Sequence, residues 1–73
     1  MIMKEDDIKF IRQIVFSLLL HIMDDFTDTE KIVDMFIDEV IEDVEETADP
    51  DNWGAEDVRI ALARAIKKKL SID

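Results

Sequence analysis

The order of apolar and polar positions along the chain follows a helical period three times over and never settles into strand-like alternation. From residue 6 to 23, Ile8, Ile11, Val15, Leu18, Leu19 and Ile22 recur at helical spacing, and at about 100° per residue they share one face. Phe16, Leu20 and Met23 widen that face until little but Phe10, Gln13, Ser17 and His21 is left over, so the second half of this helix is apolar almost all round. A helix of such girth is either central in its bundle or covered by another chain. Phe10, Phe16 and Leu20 lie outside the main stripe and are the candidate contacts for a homo-oligomer or a larger partner.

A second helix is expected from 27 to 47. TDTE offers Thr27 as N-cap with Glu30 three residues on, the reciprocal capping box, and Val33, Phe36, Ile37, Val40, Ile41 and Val44 then form a clean stripe. Pro50 ends it, because the residue before a proline is pushed out of the helical region. Gly54, the sole glycine, is the expected N-cap of a third helix from 54 to 70, with Asp57 at its third position and Trp53 stapled against Val58. Its inner face is Val58, Ala61, Leu62, Ala65 and Ile66, with Ile60 pointing outward. Lys67, Lys68 and Lys69 sit at the negative end of its dipole. Phe26, between the first two helices, is placed to plug the bottom of the core.

These elements predict an all-α fold, one small three-helix bundle spanning residues 1 to 73, with the second and third helices as an antiparallel hairpin. At 73 residues the core is thin, since a domain this size buries only about 60% of the surface of its unfolded chain. Disulfides cannot supplement it, because there is no cysteine. The longest apolar run, IVFSLLLHIM at 14 to 23, is too short to cross roughly 30 Å of hydrocarbon. MIMKEDD lacks the basic region and cleavage site of a secretory signal, so a cytoplasmic location is expected.

Charge changes the picture more than composition does. The chain carries 19 acidic and 9 basic residues, a net charge of -10, which argues against direct contact with nucleic acid or an anionic membrane and permits basic proteins, cations or no partner at all. The acids are unevenly placed. FIDEVIEDVEETADPDN, residues 36 to 52, holds eight carboxylates and no Lys or Arg, whereas from Val58 onward there are five basic residues and one acid. An antiparallel hairpin turning near residue 51 would set Arg59 beside Asp43, Arg64 beside Asp38, and Lys67 or Lys68 beside Asp34. Such pairing leaves Glu45, Glu46, Asp49, Asp51, Glu56 and Asp57 together at the turn with Trp53, a candidate docking site for a basic protein surface.

Catalytic and cofactor chemistries lack their parts. Asp49, Asp51 and Gly54 begin like a calcium loop, but Trp53 and Ile60 stand where two ligands are required. His21 with Asp24 or Asp25 supplies two metal ligands at most, and no second His exists. Carrier domains are similarly small, acidic and helical, yet they need a Ser after an Asp at a helix start, and Ser17 and Ser71 are not so placed. Without cysteine, and with no oxyanion donor near Ser17 and His21, nucleophilic catalysis is not expected. The sequence therefore points to a non-catalytic interaction module without cofactor or metal, a regulator or accessory subunit. One form of it would be an inhibitor whose carboxylates imitate a phosphate backbone; the competing form is a structural homodimer or subunit built on the girth of the first helix, its acidic face serving only solubility.

Overall fold

A computed structural model describes residues 3 to 71. It is a small all-α three-helix bundle, α1 (Glu5–Met23), α2 (Phe26–Thr47) and α3 (Ala55–Leu70), in which every helix packs against the other two. No strand occurs among the described residues, and no helix is long and apolar enough to cross a membrane.

The core follows from the three stripes. Ile11, Val15 and Leu19 of α1, Val33, Phe36, Ile37, Val40 and Val44 of α2, and Val58, Ala61, Leu62 and Ala65 of α3 are buried together. The two alanines on α3 matter geometrically, because small side chains let its backbone approach the α1–α2 pair closely. Arg12 pairs with Asp34, and the Met3 backbone N–H donates to Glu45. As the α1 partner moves back along the chain its α2 partner moves forward, which is the signature of antiparallel helices.

The link between α1 and α2 is tighter than the sequence predicts. Asp24 takes the left-handed conformation (φ 61°, ψ 14°) that ends α1, its N–H donating to the Leu20 carbonyl. Asp25 then caps α2, its carboxylate accepting the Asp28 N–H at 3.0 Å, so Thr27 lies inside the first turn and not at the cap. Two adjacent aspartates do this because each tolerates the conformation its position requires, one left-handed and one extended with a short acceptor side chain. Thr29 is the buried polar side chain of the core; its hydroxyl donates to the Asp25 carbonyl at 2.5 Å.

Three further expectations are corrected. Ile8 and Ile22, assigned to the inner face of α1, are exposed, since a place on the apolar stripe buries a side chain only where a neighbouring helix packs over it. Phe26 does not plug the core; it lies largely exposed with its ring edge-on to Phe16, centroids 4.9 Å apart. The expected hairpin ion pairs also shift. Arg64 reaches Asp43 at 3.3 Å, five positions further along α2 than Asp38, while Arg59 turns to Glu56 on its own helix at 2.6 Å, and Asp34 is taken by Arg12 of α1. The connection from Ala48 to Gly54 carries Trp53 across to Phe10 of α1.

Candidate functional site

The acidic turn is built largely from its own carboxylates. Thr47 closes α2, its hydroxyl donating to the Asp43 carbonyl at 2.8 Å. Asp49 then accepts the Asp51 N–H on its side chain at 3.0 Å and the Asn52 N–H on its carbonyl at 3.1 Å, folding the chain tightly around Pro50. Gly54 caps α3 as expected, donating its N–H to the Asp57 carboxylate at 2.9 Å. Between these two turns Trp53 is half-buried against the core, its ring meeting Phe10 edge-on at 5.7 Å.

The seven candidate residues are therefore not equivalent. Asp49 and Asp57 hold backbone N–H groups, and Glu45 accepts the Met3 N–H at 3.2 Å. Glu56 is bound by Arg59, whose hydrogen bond and charge lower the Glu56 pKa, while Glu56 raises that of Arg59 in turn. Glu46 and Asp51 are exposed and form no ion pair among the described residues. A carboxylate that accepts an N–H keeps its charge, so from 45 to 57 the segment still presents six negative side chains and no cation.

Sequence reasoning missed a groove between α2 and α3. Glu39, Glu42, Asp43 and Glu46 line one wall, and Arg64 and Lys68 stand opposite with Ala65 between them. Asp43 is neutralised there by Arg64, but one carboxylate oxygen of Glu39 is buried without a hydrogen-bond partner. The available signal was the position of Glu39 on the flank of the α2 stripe, the side on which α3 packs. Glu46 belongs to this groove as well as to the turn, so the acidic surface continues along α2 past the point where the hairpin pairing was expected to end it.

The remaining candidates are dispersed. Phe10 is engaged by Trp53 and Phe16 by Phe26, and Leu20 is half-buried. His21 is exposed near the end of α1, while the Asp25 carboxylate is occupied as a helix cap. Among the described residues no three His, Asp or Glu side chains come together as a set of metal ligands. Comparison with protein-family models, curated proteins and solved structures finds no match to this chain.

Proposed function

We propose that this protein is a non-catalytic interaction module that docks a basic protein surface on the end of the bundle carrying the α2–α3 turn. The observation that carries the reading is the charge left over after internal pairing. Among the described residues four ion pairs absorb Glu5, Asp34, Asp43 and Glu56, and Glu46 and Asp51 stand exposed beside three further carboxylates engaged only by backbone N–H groups. Trp53, fixed by Phe10, gives the turn a rigid aromatic centre of the kind that anchors interfaces. Proteins that bind nucleic acid are one partner class with the required basic surface, and occupying that surface would make this protein a competitor of phosphate backbones. The fold supplies the module with a scaffold and nothing in the reading requires a cofactor.

The test is a pull-down from the source cell at low salt, eluted by a salt gradient, followed by titration of the recovered partner. Affinity should fall steeply between 50 and 500 mM salt, and Glu46→Gln with Asp51→Asn should weaken binding and flatten that dependence. Binding that ignores both salt and the double substitution would remove the reading.

A further inference from the structure

We draw no further inference here: the strongest candidate, the α2–α3 groove in which one Glu39 carboxylate oxygen is buried without a hydrogen-bond partner, belongs to the acidic surface already described, and with Glu39 itself only partly buried nothing in the structure shows what would fill it.

Discussion

Glu46 is the penultimate residue of α2, and its charge works against the helix that carries it. Glu42 and Asp43 stand four and three residues before it, and each such like-charge pair costs about 0.2–0.5 kcal/mol. A negative charge in the last turn also opposes the helix dipole, at a cost of about 0.3–1 kcal/mol, and α2 has no basic residue in that turn. Attraction to Arg64 and Lys68 across the groove acts the other way, but Glu46 forms no ion pair with either, and exposed charges at longer range contribute little. Glu46→Gln should therefore raise stability by about 0.5–1 kcal/mol in dilute buffer, the partial offset by the groove cations keeping it below the simple sum. With a urea slope of about 1 kcal/mol/M for a chain this small, the midpoint should move up by about 0.5–1 M. The gain should shrink in about 1 M salt, where the screening length falls to about 3 Å. A loss of stability at low salt would show that Arg64 and Lys68 hold Glu46 after all. A gain that survives high salt would show that side-chain packing, and not charge, was at work. If the gain appears while partner binding weakens, the residue is kept against the interest of the fold, which is the expected mark of a functional charge.

Thr29→Val should leave stability within about 0.5 kcal/mol of wild type, because the Asp25 carbonyl keeps the Thr29 N–H when the hydroxyl is lost, whereas Thr29→Ser should cost about 1 kcal/mol for the buried methyl removed; urea unfolding of the pair checks which group matters. Asp24→Gly should stabilise by about 0.5 kcal/mol, since glycine occupies the left-handed conformation freely and returns part of that gain as unfolded-state entropy, and a fall in midpoint would contradict the assigned cap. The Glu56 pKa is lowered by Arg59, so their contribution to stability should be complete above the unfolded value of 4.5 and fade as pH drops through the lower folded value. Glu56→Gln should flatten this part of the acid limb in a pH series of thermal unfolding, and an unchanged limb would remove the pair from the account.

The fold was legible because it depends on periodicity, and the periodicity here is unambiguous. Every buried apolar residue of α2 and α3 lies on a stripe visible in the sequence, and the Gly54 cap with Asp57 needs only four consecutive residues to be recognised. The errors arise where a helix face alone does not decide burial. Ile22 has the angular position of a core residue and the exposure of a surface one, since burial also requires a neighbour packed over the side chain, which periodicity along one helix does not reveal. Asp25 displaced Thr27 as a cap because two acceptable capping residues lay two positions apart, and the left-handed turn at Asp24 settles which of them begins the helix.

The acidic surface was harder to read for a related reason. Position along the chain told which acids lack a basic neighbour nearby, but the neutralising partners are set by how three helices lean on one another. Trp53 shows this most directly. Its ring meets Phe10 of α1, while Arg64 stands level with Asp43 and Asp38 forms no ion pair among the described residues. Uncompensated charge therefore runs from the turn back along α2, to Glu42 and the half-buried Glu39. Trp53 consequently has two roles that one substitution would disturb together, as a rigid element of the proposed docking surface and as a packing contact between the turn and α1. Charge substitutions such as Glu46→Gln, which leave the Trp53–Phe10 contact in place, are therefore the cleaner means of separating the surface from the scaffold.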